Sequence, residues 1–155
     1  MTPRNSGHVV TCLTVAVLAV APSLAVASLS PAGFAVSMSR VCVIGTARAN
    51  AVGQVSSVMD LVRLGPQLIG IDQWELNEIV KLGAPPAAIA NYVSQFIAEQ
   101  RRIDSLGIEA VSAARRGDAF TAERLSQRSS TLTRTQDLDA RMIGAAKCVS
   151  STGAR

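Results

Sequence analysis

The run PAAIANYVSQFIAEQRRIDSLGIEAVSAARRGDAFTAERLSQRSSTLTRTQDLDARMIGAAKC, from Pro86 to Cys148, decides the fold. It contains no proline beyond its first residue. A stripe of mostly apolar or small side chains recurs at Ile89, Val93, Phe96, Gln100, Ile103, Gly107, Ala110 and Ala114, at the spacing of one helix face. Pro85 and Pro86 sit where a missing N–H costs a starting helix nothing, so a helix is predicted from there to Arg116, about 30 residues or ~45 Å long. Gly117 and Asp118 supply a turn and the next N-cap. A last helix follows, from Ala119 to about Lys147, with Ala122, Leu125, Leu132, Leu138, Met142 and Ala146 on an approximate face. Its middle, Ser126 to Gln136, is a poor helix former, because Ser and Thr hydroxyls compete for the backbone. Two long helices joined by so short a turn must be antiparallel neighbours.

Working back toward the N-terminus, Ile44, Ala47, Ala51, Val55, Val58, Met59 and Val62 draw one stripe over Arg40 to Leu64, ended by Gly65 and Pro66. Gly45 and Gly53 weaken that helix by about 1 kcal/mol each, so packing must support it. Asp72 with Glu75 three residues on reads as a capping-box variant, with Ile71 and Leu76 placed as a hydrophobic staple. A short helix from Gln73 to Leu82 follows, stopped by Gly83. Trp74 and Tyr92 read as packing at the core or its edge. Residues 28–39 (SLSPAGFAVSMS) are small and polar and read as a flexible lead-in to a domain over residues 40–150, with residues 151–155 as a disordered tail. The fold class is therefore all-α: an antiparallel helical bundle of three long helices plus one short helix, closed by one disulfide. No alternating strand pattern competes with it.

The chain's 155 residues are 48% apolar, 17% charged and 3% aromatic, with a net charge of +4: enough for one globular domain and little more. Val9 to Ala27 is an uncharged apolar stretch behind Arg4, ending in Ala25 and Ala27 around Val26, the plan of a signal peptide cleaved before Ser28. A second small-x-small site, Gly33 to Ala35, offers a later cut. Pro22 closes the apolar run at a length short for crossing ~30 Å of hydrocarbon, so no stable membrane span is expected after cleavage. Cys12 lies inside the apolar run, away from any lipid-attachment position. The product reads as secreted, or held in the periplasm or cell envelope. Removing residues 1–27 takes only Arg4 from the basic side. The balance left is too mild for a polyanion binder, and the Arg101–Arg102 and Arg115–Arg116 pairs read as solvated helix faces; no nucleic-acid partner is expected.

Cleavage would leave Cys42 and Cys148, near the two ends of the domain, in a compartment where disulfides persist. One bridge between them is the simplest outcome. Free thiols fit less well, and so does a redox couple, whose cysteines usually stand two residues apart. The start of the first helix and the end of the last lie at the same end of an up-down-up-down bundle, which agrees with this pairing.

The single histidine, His8, falls in the segment predicted to be removed. Without imidazole, Ser-His-Asp and Cys-His catalysis and the usual His-based metal sites cannot be built. Asp137 and Asp139, two apart on a helix, point in different directions and make a poor glycosidase pair. No G-x-S-x-G, P-loop or dinucleotide-binding glycine pattern occurs. The expectation is no enzyme, no catalytic residues, no cofactor and no metal site.

Cys42, LGAPP (Leu82–Pro86), AARRGD (Ala113–Asp118) and IGAAKC (Ile143–Cys148) together resemble a loose group of uncharacterised exported helical proteins of actinobacteria. The resemblance covers about residues 40–150 and implies a disulfide-closed bundle at the cell envelope, with no activity attached; the lipid-attachment cysteine of some relatives has no counterpart here. The expected function is a non-catalytic envelope module binding a macromolecular partner. The alternative is a carrier of a small apolar ligand held between the helices, lipid-like or, less readily, haem, for which Tyr92 is the only phenolate.

Overall fold

The computed structural model describes residues 29–150, so the readings placed on residues 1–27 and 151–155 lie outside the described part. Four helices follow one another: α1 (Pro31–Val52), α2 (Val58–Val80), α3 (Ala90–Arg115) and α4 (Ala119–Ile143), with a short 3-10 turn, Ala146–Cys148, after them. Among the described residues there is no strand. The all-helical bundle with one disulfide is as the sequence indicates, but its first half is divided differently.

Helix α1 begins nine residues before the predicted start at Arg40. Ser30 is its N-cap, its hydroxyl accepting from the Gly33 N–H at 3.1 Å, and Pro31 takes the first helical position. The stretch read as a flexible lead-in is thus helical from Pro31. It also carries core: Phe34 is 1% exposed and Met38 0%, on one face with Cys42 and Gly45 at spacings of four and three. Ile44, assigned to the buried stripe from periodicity, is instead outside.

The single helix predicted over Arg40–Leu64 is broken at residues 53–57. Gly53 ends α1 with a φ of 109°. Ser57 then caps α2, its Oγ accepting from the Asp60 N–H at 3.1 Å while donating to Asp60 Oδ2 at 2.9 Å. Gly65 and Pro66 do not end a helix but lie within α2. An interior proline costs about 3 kcal/mol. Packing offsets it here: Gly65 is buried against α3, and a Cβ at that position would stand 2.6 Å from Val111 Cγ2, so only glycine allows the two helices to approach this closely. Asp72 and Glu75 consequently sit in mid-helix and cap nothing.

The turn between α3 and α4 is where the sequence places it. The Gly117 N–H donates to Ala114 O and the Asp118 N–H to Ala113 O, both at 3.0 Å, a Schellman arrangement in which Gly117 takes a φ of 78°. Asp118 caps α4 by accepting from the Thr121 N–H. At the other end of α3 the helix begins at Ala90, after Pro85 and Pro86 have made a turn in which Ile89 N–H donates to Pro86 O. Within α4, hydroxyls of Ser126, Ser130, Thr131 and Thr133 each bond the carbonyl four residues back, and the helix stays continuous. Helix α4 ends at Ile143, four residues short of Lys147, through a second left-handed glycine, Gly144.

Packing contacts make every sequential pair antiparallel. Phe34 and Met38 at the start of α1 share a core with Ile79 near the end of α2, Val93 and Phe96 at the start of α3, and Ala140 and Ile143 at the end of α4. At the opposite end a smaller core of Ala113, Ala114 and Ala122 packs against Leu61 and Val62. Leu138 and Met142, assigned to the inner face of α4, are exposed at 59% and 56%. Gln136, Asp139, Ala140 and Ile143 are buried in their place. That rotation puts polar groups inside.

Candidate functional site

Cys42 and Cys148, the two site residues read from the sequence, are joined: the Cα atoms are 5.1 Å apart across 106 residues of chain. Cys42 comes from α1 and Cys148 from the turn after α4, so the bond ties the first helix to the end of the fourth. Asp137 reinforces this corner by accepting from the Ser150 N–H and hydroxyl, each at 2.7 Å. Two recesses flank the disulfide, and they differ in chemistry.

The first is an open apolar groove on the outer face of α1, about 480 Å³ in volume. Val36 and Val43, one face apart by seven residues, line it with Ile44 and Gly144; all three aliphatic side chains are 46–52% exposed. Arg40 and Lys147 border it. Aliphatic side chains grouped on a surface mark an interaction site more often than isolated ones do.

The second is a polar cleft of about 420 Å³ between the helices. Helix α1 contributes Thr46 and Asn50, α2 Asp72 and Glu75, α3 Phe96, Gln100 and Ile103, and α4 Thr133 and Gln136. An amide chain orders one wall: Gln136 Nε2 donates to Gln100 Oε1 at 2.8 Å and to Phe96 O at 3.3 Å, and Gln100 Nε2 donates to Asp104 Oδ1 at 2.8 Å. Gly45 makes room on the opposite wall, since a Cβ there would overlap Glu75 Oε2. Burial, with the nearby charges of Asp104 and Glu75, pushes the Asp72 carboxyl up to about 7. Burial also raises Glu75 and Asp104 above the ordinary carboxylate range.

Across the α3–α4 seam Glu99 and Asp139 face one another, both raised chiefly by burial. Each keeps one buried oxygen without a partner among the described residues. Asp137 and Asp139 do point apart, one to Ser150 and the other to Glu99. Trp74 lies under the Arg48 guanidinium, 3.7 Å from its ring centre, a stacking contact between α1 and α2, while Tyr92 packs against the main core. Among the described residues no group of three or more His, Cys, Asp or Glu is arranged to hold a metal ion.

These carboxyls give the fold a pH signature. A group raised in the folded state costs stability where it is ionised in both states, and the cost disappears as the folded protein takes up a proton that the unfolded chain still lacks. For Asp72 that window runs down from about 7 to its ordinary value of 3.8. Asp60, held down at about 2 by the Ser56 and Ser57 hydroxyls, and Asp118 work in the opposite sense, but only below the ordinary carboxylate range. Thermal unfolding is therefore expected to rise by roughly 5 °C or more between about pH 8 and about pH 5, and Asp72→Asn to flatten that slope. A midpoint independent of pH, or one falling on acidification, would contradict the burial of this cluster.

Which of these features the sequence could have shown is limited. Asp72 and Glu75 stand three apart in the sequence, which is also the spacing of a helix cap, and only the course of α2 through both places them inside. No protein-family model, curated protein or solved structure matches the chain.

Proposed function

We propose that this is an exported, non-catalytic helical module of the cell envelope that binds a protein partner through the outer face of α1. The observation that carries the reading is the uncovered groove of Val36, Val43 and Ile44 beside two cations. Charge complementarity selects the occupant: an extended or helical segment of another protein offering large apolar side chains flanked by Asp or Glu, which would meet Arg40 and Lys147. A carrier of a small apolar ligand calls for an enclosed apolar cavity, and the recess between these helices is lined by carboxyls and amides instead. The disulfide, and the lack among the described residues of a helix long and apolar enough to cross a membrane, agree with an extracytoplasmic setting. Membership of the exported actinobacterial group belongs to the same proposal.

Selection of a displayed random peptide library against the disulfide-intact protein tests it. Retained peptides should combine apolar anchors with acidic residues, and Val43→Asp should weaken them by roughly tenfold or more. Reversing both charges, Arg40→Glu with Lys147→Glu, should redirect selection toward basic peptides. Peptides bound equally well by the Val43→Asp protein would overturn the proposal, and so would a groove that takes up fatty acid or an apolar dye while retaining no peptide.

A further inference from the structure

Two carboxyl groups meet in the α3–α4 seam, apart from both the groove and the cleft. Gln136 bonds to Phe96 and Gln100 together and so fixes the register of the two antiparallel helices; the next turn of α4 brings Asp139 against Glu99. Asp139 is only 7% exposed. Its Oδ2 and Glu99 Oε2 are both closed off from solvent, and neither has a hydrogen-bond partner among the described residues.

The seam holds little that could satisfy these two atoms. A water-sized sphere cannot touch either oxygen, and no third acidic side chain stands by to complete a metal site among the described residues. Neighbouring charges do not pair with them. On α3, Arg102 stands one turn from Glu99 and favours its ionised form without forming an ion pair, while Asp104 is turned to Gln100. On α4, Asp137 is taken up by Ser150 and Arg141 is exposed. Arg40 of α1 and Lys147 of the closing turn border the groove and form an ion pair with neither carboxyl. Two ionised carboxylates would repel one another here in a medium that screens them poorly. A single proton removes that repulsion and supplies the missing hydrogen bond, an acid O–H donating to a carboxylate oxygen. Burial holds both groups above the ordinary carboxylate range, in the direction that sharing requires.

We propose that Glu99 and Asp139 share one proton, and that this proton closes the seam between α3 and the last turns of α4, beside the corner held by the disulfide. Its loss to solvent at alkaline pH leaves two like charges face to face and loosens the seam. The device is separate from the α1 groove and does not depend on the protein-partner reading.

Carbon-13 NMR of the side-chain carboxyls in the disulfide-intact protein, titrated from about pH 3 to about pH 9, tests this. Glu99 Cδ and Asp139 Cγ should each register two steps at least about 1 pH unit apart, the upper one above the ordinary carboxylate range. In Glu99→Gln an amide N–H takes the place of the proton, so Asp139 should titrate in one step, below that upper one. Asp139→Asn should do the same to Glu99. Arg102→Gln should move the upper step to higher pH, which a merely structural contact would not do. Amide protection factors over residues 136–143 should fall in the wild type as the upper step is passed and hold steady in Glu99→Gln. Independent single steps in the ordinary range for both carbons, an upper step that survives in either variant, or protection indifferent to that step would each overturn the proposal.

Discussion

Replacing both Cys42 and Cys148 by alanine is expected to lower the thermal unfolding midpoint by about 15 °C or more. The bond closes a loop of 106 residues, for which the chain-entropy relation gives on the order of 4–5 kcal/mol, and a domain of this size loses roughly 4 °C per kcal/mol. That is a large share of the ~5–15 kcal/mol that holds a typical domain together. Alanine is the right replacement at Cys42, which is 1% exposed in an apolar core where a serine hydroxyl would add a cost of its own. Scanning calorimetry of the wild-type and double-alanine proteins reads the difference, and reductant should bring the wild-type protein to the same midpoint. A drop of less than about 4 °C would mean that the helices hold this corner without the bond.

The second large effect lies at the start of α1. Phe34→Ala should cost about 3–5 kcal/mol and Met38→Ala about 2–5 kcal/mol, because both side chains are fully buried among Ile79, Val93, Phe96 and Ile143. Val36→Ala, on the same two turns but 52% exposed, should change stability by no more than about 0.5 kcal/mol. Denaturant unfolding of the three variants separates two pictures of this segment. A lead-in outside the domain would leave all three alike, whereas a first helix seated in the core spreads them by several kcal/mol.

Local chemistry explains what could be read in advance. The Gly117–Asp118 turn needs only a left-handed residue and a capping carboxylate, both visible side by side, and the predicted antiparallel pairing of α3 and α4 followed from it. The disulfide was legible from counting cysteines. The start of α1 was not, because Phe34, Met38 and Cys42 are separated by Ala, Ser, Val and Arg in a stretch that reads as small and polar, and Ser30–Pro31 looks the same in a loop as at a helix start. The Gly65–Pro66 pair signals a stop in any isolated chain; only the close approach of α3, through Val111, keeps α2 running across it.

The inner face of α4 departs from hydropathy for a related reason. Hydropathy favours Leu138 and Met142, whereas the fold turns Gln136 and Asp139 inward, where Gln136 finds Gln100 and the Phe96 carbonyl, groups supplied by another helix. The cleft was hidden for the same cause, since its walls come from all four helices and no one segment contains more than a few of its residues. The groove on α1 depends on which face of that helix is buried, and so could not be assigned before the Phe34–Met38–Cys42 stripe was known.

The central claim is that the first helix, seated in the core, is locked to the end of the fourth. A peptide map of the native protein, digested without reductant after free thiols have been blocked, tests it most directly. One cross-linked pair of peptides, containing Cys42 and Cys148, is the expected result. Recovery of both cysteines in blocked, unlinked peptides from folded protein would contradict it.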